Sequence, residues 1–266
     1  MKKLLTALLT GAAAVCFTAC GKKNTLVIGT NAAFPPFEYK EDGKLTGFDM
    51  DLIKMYGESV GKKIEIKDME FDAALTSAST GKIDIAIAGI TKNEKREKTL
   101  SFSDGYYSSN QVVVLSTTTA KAIKTATETM DNDDKKIEYI ISRLEGKKIG
   151  VQRATTGQFY VEGDADWRFD GIKDAKCNPY DNGGLAMKDL NDGKLDAVIL
   201  DEAPAKNIVA KNYSSTLSIL DSALTEEEYA IAVKKGNTEL VNSLNEFIKT
   251  IKANGKYNEL LEKYFG

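Results

Sequence analysis

The sequence predicts an α/β protein of two lobes, and three observations carry that reading. Strand-like apolar runs alternate with helical segments over the first hundred residues, the pattern of a parallel sheet whose crossovers are helices. A second strand, turn and helix unit starts afresh at Lys147, just after Gly146. The chain has 266 residues and is 42% hydrophobic, enough for one large core or two modest ones, and two is the better partition at this length.

Lys2 and Lys3 precede a short apolar segment, residues 4–17, then small residues and Cys20. Residues 1–19 therefore read as a secretory signal, too short and wrongly flanked for a membrane span. Phe17-Thr18-Ala19-Cys20 resembles a bacterial lipobox, although an aliphatic residue usually stands where Phe17 is. The resemblance implies cleavage before Cys20 and lipidation of its sulfur, with residues 20–24 as a tether and the acyl chains holding the protein at a membrane surface. Cys16 is the poorer site because Val15 is too large for the position before a cut. The alternative is a plain signal peptide, cleaved nearby to leave a secreted protein. Cys177 is then alone, so no intramolecular disulfide is available.

Residues 25–29 read as the first strand, followed by a rigid aromatic loop over 30–39 around Pro35-Pro36. Asp42-Gly43 marks a turn. Residues 49–60 place Met50, Ile53, Tyr56 and Val60 on one helical face, and Gly61 supplies the left-handed C-terminal position. Residues 63–67 alternate as a strand does, and 72–80 make a short helix ended by Gly81. The run 83–88 is almost wholly apolar, as expected of a strand buried on both faces. Residues 111–115 form an extended run that leaves the first lobe. The segment 117–145 is polar and helical in tendency, a solvated hairpin or loop. Its Asp131-Asn132-Asp133-Asp134 lacks the glycine and distant glutamate of a calcium loop. In the second unit, 148–151 is a strand, 152–157 a turn, and a helix starts near Thr156. Cys177 lies in a short segment before a helix at about 184–191, and 195–201 is a buried strand ending in Asp201. Residues 229–233 return to the first lobe, and an amphipathic helix over 238–254 closes the chain.

The junction after residue 88 organises this pattern. Thr91-x-x-Glu94 has the form of a capping box, so a helix is expected from about Thr91, with unpaired N–H groups that attract anions. Arg96 follows within about a turn and offers a planar fork that matches a carboxylate. Together these could hold one small carboxylate, while a capping box alone only caps and 92–98 reads equally as a solvated charged face. Composition excludes much else. There is no histidine, which removes Ser-His-Asp and Cys-His catalysis and imidazole-ligated metals. A net charge of −3 from 36 basic and 39 acidic residues leaves no footprint for nucleic acid.

Five ordered motifs carry a resemblance that covers essentially the whole mature chain. They are residues 29–38 (Gly-Thr-Asn-Ala-Ala-Phe-Pro-Pro-Phe-Glu), 88–91 with Arg96, 102–107, 150–152 with Thr155-Thr156-Gly157, and 196–198 before Asp201. With these the chain resembles the family 3 extracellular solute-binding proteins of polar amino-acid ABC importers, similar to the lysine/arginine/ornithine, histidine and glutamine binders. The resemblance implies a two-lobed periplasmic-binding-protein type II fold, each lobe a mainly parallel sheet flanked by helices, joined by two hinge strands. Lobe 1 would take 25–109 and 229–266, and lobe 2 would take 110–228 with an insertion at about 117–141. It implies a monomer without cofactor or catalytic residue, at the outer face of the cytoplasmic membrane or in the periplasm, passing its ligand to a permease and ATPase.

Carried over residue by residue, the resemblance gives the ligand's α-carboxylate to Arg96, assisted by the N–H groups of Thr91 and Thr156. Asp201 would take the α-ammonium with the Gly89 carbonyl and the Thr91 hydroxyl. Phe34 and Phe71 would sandwich the side chain, Asn31 and Gln152 would meet its polar tip, and Ala88 and Thr155 complete the walls. A buried zwitterion needs each charge paired, which fits that set. Asn31 stands where cation-binding members and the glutamine binder usually carry an acid. Yet residues 152–158 resemble the turn of some arginine binders, so neutral polar and basic ligands both stay open. Cyclohexadienyl dehydratases share the scaffold, but Asp201 is the only cleft acid this reading nominates. A sensor domain would want a membrane segment and a signalling module after the clamp.

Overall fold

The computed structural model describes residues 24–266, so the signal segment, Cys16 and Cys20 lie outside the described residues. β1 (Thr25–Thr30) runs into a three-stranded meander, β2 (Ala33–Phe34), β3 (Glu38–Glu41) and β4 (Lys44–Thr46). That meander replaces the single loop expected over 30–39, while the turn at Asp42-Gly43 is as expected, with both residues at positive φ. α1 (Phe48–Ser59) buries Phe48, Met50, Leu52, Ile53 and Tyr56, each contributing about 1.5–3 kcal/mol by leaving water. β5 (Lys63–Asp68) and α2 (Phe71–Thr80) follow, the helix stopped by Gly81 in the left-handed region. β6 (Ile85–Ala86), α3 (Glu94–Glu97), β7 (Leu100–Phe102) and β8 (Tyr107–Ser109) complete this stretch.

β9 (Gln111–Ser116) then enters the second unit, with α4 (Thr117–Thr127), α5 (Asp133–Leu144), β10 (Lys148–Gln152) and α6 (Thr156–Glu162). A 3-10 turn at Ala165–Trp167 leads to β11 (Lys176–Tyr180), α7 (Gly183–Asn191), β12 (Ala197–Asp201), α8 (Glu202–Ile208) and β13 (Leu217–Ile219). β14 (Glu227–Tyr229), β15 (Ala232–Lys234), α9 (Thr238–Ala253) and α10 (Lys256–Phe265) end the chain.

The fold is two-lobed, with one five-stranded sheet per lobe. The first has the order β5-β1-β6-β15-β7 and the second β11-β10-β12-β9-β13. In each, three strands are mutually parallel (β5-β1-β6, β11-β10-β12) and the chain's crossing strands, β15 and β9, join antiparallel. β8 and β14 pair with each other to make a two-stranded ribbon where the chain passes between the lobes, Tyr107 opposite Tyr229. Phe37, Tyr107, Tyr229 and Phe265 pack ring against ring around it, at centroid distances of 4.8–5.8 Å.

Four further expectations are corrected. The strand over 83–88 contributes only Ile85–Ala86 to the ladder, because the chain turns out of the sheet at Gly89 (φ 55) although residues 83–90 are nearly all buried. The helix expected from Thr91 starts at Glu94, with Asn93 as its cap, accepting the Arg96 N–H. Thr91 instead forms a bridge to Tyr229 and donates its hydroxyl to Glu227. The segment 117–145 is a helical hairpin whose Ala120, Ile123, Ile140 and Leu144 are buried in the second lobe's core, so only its outer face is solvated. The chain does not close on the helix over 238–254; after Gly255 (φ 85) it continues into α10.

Candidate ligand-binding site

Asn31, the segment 88–91, Gln152 and Asp201 all follow or end strands of the parallel sets (β1, β6, β10 and β12), the side of an α/β sheet where ligands bind. Because the two sheets face each other across the ribbon, these four strand ends converge. The structure brings all eleven nominated residues, Asn31, Phe34, Phe71, Ala88, Gly89, Thr91, Arg96, Gln152, Thr155, Thr156 and Asp201, around one small cavity between the lobes, with about 10 Å³ of free space. Glu38, from β3, also lines it.

Arg96 is held by its surroundings rather than by an ion pair of its own. Its Nη1 donates to the Thr91 carbonyl at 2.6 Å and its Nη2 to the Ala154 carbonyl of the other lobe at 3.1 Å. Ala154 sits at φ 60, a backbone conformation costing about 1 kcal/mol or more for a non-glycine residue, which the surroundings must hold in place. The guanidinium lies over the rings of Phe71 and Trp167, 5.4 and 5.2 Å away. Burial lowers its pKa to about 10, with Glu227 and Asp201 acting in the opposite sense, so it stays cationic at neutral pH.

Asp201 occupies the N-cap position of α8 but makes no capping bond. It accepts the Tyr229 hydroxyl instead, which leaves its carboxylate free of the helix. Burial, then the neighbouring Glu227, push its pKa up to about 7. Glu227 ties the lobes together: Oε2 accepts the hydroxyls of Thr91 and Thr156, and Oε1 accepts Gln111 Nε2 at 3.0 Å and the Thr225 hydroxyl at 2.7 Å. At the opposite end of the cavity Gln152 Nε2 donates to Asn31 Oδ1 at 3.0 Å, while Asn31 donates to the Met69 carbonyl and Gln152 Oε1 has no partner. The two amides expected at a ligand's tip are thus bonded to each other across the cleft. Thr155 donates to the Gln152 carbonyl and fixes that turn. Gly89 is required where it is, since a Cβ there would come within 2.7 Å of the Phe34 ring.

Glu38 is the residue the sequence reading missed. It is fully buried, and no N–H or hydroxyl group donates to its oxygens, so the Asp49 carboxyl is its hydrogen-bonding partner among the described residues. Its neighbour is Asp49 of α1, also fully buried, whose Oδ2 accepts the Gly89 N–H at 3.0 Å and the Tyr106 hydroxyl at 2.8 Å. Burial, then Asp49, raise the Glu38 pKa well above the carboxylate range, and burial takes Asp49 to about 6. Asp201 is therefore not the only cleft acid. The signal available was Glu38's place in the Pro-Pro-Phe-Glu motif, and for Glu227 its place just before the return to the first lobe at residue 229.

Outside the cavity, α3 of the first lobe meets the turn at Ala165–Trp167 of the second. Lys95 pairs with Asp164, Lys98 with Asp166 at 2.9 Å and Arg168 with Glu94 at 3.4 Å. The last two pairs are exposed and are worth little singly. Among the described residues no cluster of three or more metal-ligating side chains is placed to hold a metal ion.

Residues 26–266 match the family model described as bacterial extracellular solute-binding proteins, family 3. The L-cystine-binding protein TcyJ of Escherichia coli K12 is 28% identical over 246 residues, covering 92% of this chain and 84% of that protein. A solved ancestral arginine-binding protein bound to arginine aligns with a TM-score of 0.76 and 36% identity, covering 91% of this chain and 99% of that one. The structure of an ancestral arginine-binding protein bound to glutamine gives 0.75 and 36%, over 92% and 99%.

Proposed function

The chain belongs to the bacterial extracellular solute-binding proteins of family 3, and from that membership we propose that it captures a basic L-amino acid, arginine foremost, for an ABC importer. Arg96 and Asp201 reach the cavity from opposite lobes, buried, as counter-charges for an α-carboxylate and an α-ammonium. Neither lobe alone offers both, so binding favours the closed arrangement by population shift. Phe34 and Phe71 flank the ligand's aliphatic stem.

The observation that carries the basic side chain is Glu38. A fully buried carboxyl that no N–H donor reaches, beside a second carboxyl, keeps a proton for want of a counter-charge, and a guanidinium or ammonium is the group that can take that proton's place. Glutamine is the second reading, favoured by the amide pair of Asn31 and Gln152, which a neutral carboxamide could join. The relatives compared are amino-acid-binding proteins, and the cavity's acids are read as ligand contacts, with no catalytic residue assigned. Turnover of prephenate or arogenate would overturn that part of the reading.

The lobe limits proposed are 25–109 with 229–266, and 110–228. Lipidation of Cys20 would anchor the protein to the outer face of a membrane, next to the permease and ATPase it serves. The test is a thermal-shift screen of protein refolded to strip carried-over ligand. Arginine at a hundred times its dissociation constant adds about 2.7 kcal/mol and raises Tm by several degrees. A shift with glutamine alone would favour the second reading, and no shift with any amino acid would overturn both.

A further inference from the structure

The Glu38–Asp49 pair does more than supply negative charge. Glu38 sits on β3 and lines the cavity, with no N–H or hydroxyl group donating to either oxygen. Asp49 sits behind it on α1, its Oδ2 occupied by Gly89 N–H and Tyr106 hydroxyl and its Oδ1 without a partner. The charged or titratable groups around the pair are Asp201 across the cleft, Arg96, which lines the same cavity as Glu38 without pairing with it, and the phenols of Tyr106 and Tyr257. Among the described residues no lysine or arginine forms an ion pair with either carboxyl. Two adjoining buried carboxylates with no cation paired to either cannot both ionise, so one proton is held between them. Their upward pKa shifts agree with that state.

We infer that capture of a cationic side chain drives this shared proton off the Glu38–Asp49 pair, so that loading is coupled to proton release and tightens as acidity falls. The inference rests on the basic-ligand reading. One cation enters against Glu38, one proton leaves to solvent, and the net charge of the site is unchanged. A neutral side chain brings no counter-charge and leaves the proton where it is. Asp201 also loses whatever proton it holds when it meets the α-ammonium, but that loss is common to every amino acid and is the background against which the pair is read.

The experiment is isothermal titration of the purified protein with L-arginine between pH 6.5 and 8, above the Asp49 value of about 6 so that the pair holds one proton, in pairs of buffers that differ in ionisation enthalpy. The dependence of observed heat on buffer counts the protons released. The wild type should release close to one proton more than Glu38→Gln, which has no proton to lose there, while Asp49→Asn, whose Glu38 is still buried, should release an intermediate number. The wild-type Kd should fall up to about tenfold per pH unit, with a shallower profile in Glu38→Gln. Asp49→Asn serves as the second variant and keeps the Glu38 carboxyl that meets the cationic side chain. Saturable arginine binding with equal proton counts in wild type and both variants would overturn the proton coupling alone. Absence of saturable binding of arginine by the folded wild type would overturn the ligand reading and this inference with it.

Discussion

Replacing Arg96 by alanine tests the anchor of the site. The side chain is 8% exposed and is fixed by two backbone carbonyls, one from each lobe, and by the faces of two aromatic rings. Because it is already desolvated and oriented, a ligand carboxylate gains nearly the whole of a buried, charge-assisted interaction. Stripping one partner from such a pair costs about 2–5 kcal/mol, or roughly 30-fold to several thousand-fold in Kd. Arg96→Lys keeps the charge but loses the fork, and should fall between the two. The alanine variant also leaves Asp201 and Glu227 without their nearby cation, so Asp201 titrates higher still. Calorimetric titration of each folded variant reads these numbers. Binding by Arg96→Ala within a few-fold of wild type would refute the assignment of the α-carboxylate.

The remaining predictions concern stability, closure and location. Asp49 has its folded pKa raised from 3.8 to about 6, and Asp201 from 3.8 to about 7, so the stability they contribute is complete below pH 4 and is lost as pH rises through those values. For Asp49 alone the loss is about 3 kcal/mol. The ligand-free protein should melt lower at pH 7.5 than at pH 4.5, and a higher Tm at pH 7.5 would contradict the buried-acid account. Trp167 is the chain's one tryptophan, and it meets Arg96 across the cleft, so its emission should change on ligand addition and the change should vanish in Arg96→Ala. Changing Cys20 to serine should move the protein from the membrane fraction to the soluble one, as read by fractionation of expressing cells.

The cavity walls were readable in the sequence because strand ends followed by small polar turns recur at Gly89 to Thr91, Gln152 to Thr156 and Asp201. Local pattern and tertiary role coincide there. Where they part, the local pattern misleads. Thr91 and Asn93 are both competent caps, and only the hydroxyl's long-range bond to Glu227 decides that Asn93 serves. Glu38 alternates with Phe37 and Tyr39 like a solvent-facing strand residue, and its burial comes from α1 and the opposite lobe. Glu227 lies within Glu226-Glu227-Glu228, which reads as a solvated run until the ribbon turns its middle carboxylate inward. α10 was lost because Gly255 reads as a helix end, while Phe265 proves to stack on Tyr107 beside the ribbon.

The central claim is that one amino acid is held between two lobes, and the most direct measurement is an equilibrium titration of refolded protein with L-arginine, repeated for single changes on opposite sides of the cleft. The account predicts saturation at one ligand per chain, weakened at least 30-fold by Arg96→Ala and comparably by Asp201→Asn, with both variants folded. Saturable binding that survives both changes would place the ligand elsewhere and contradict the account.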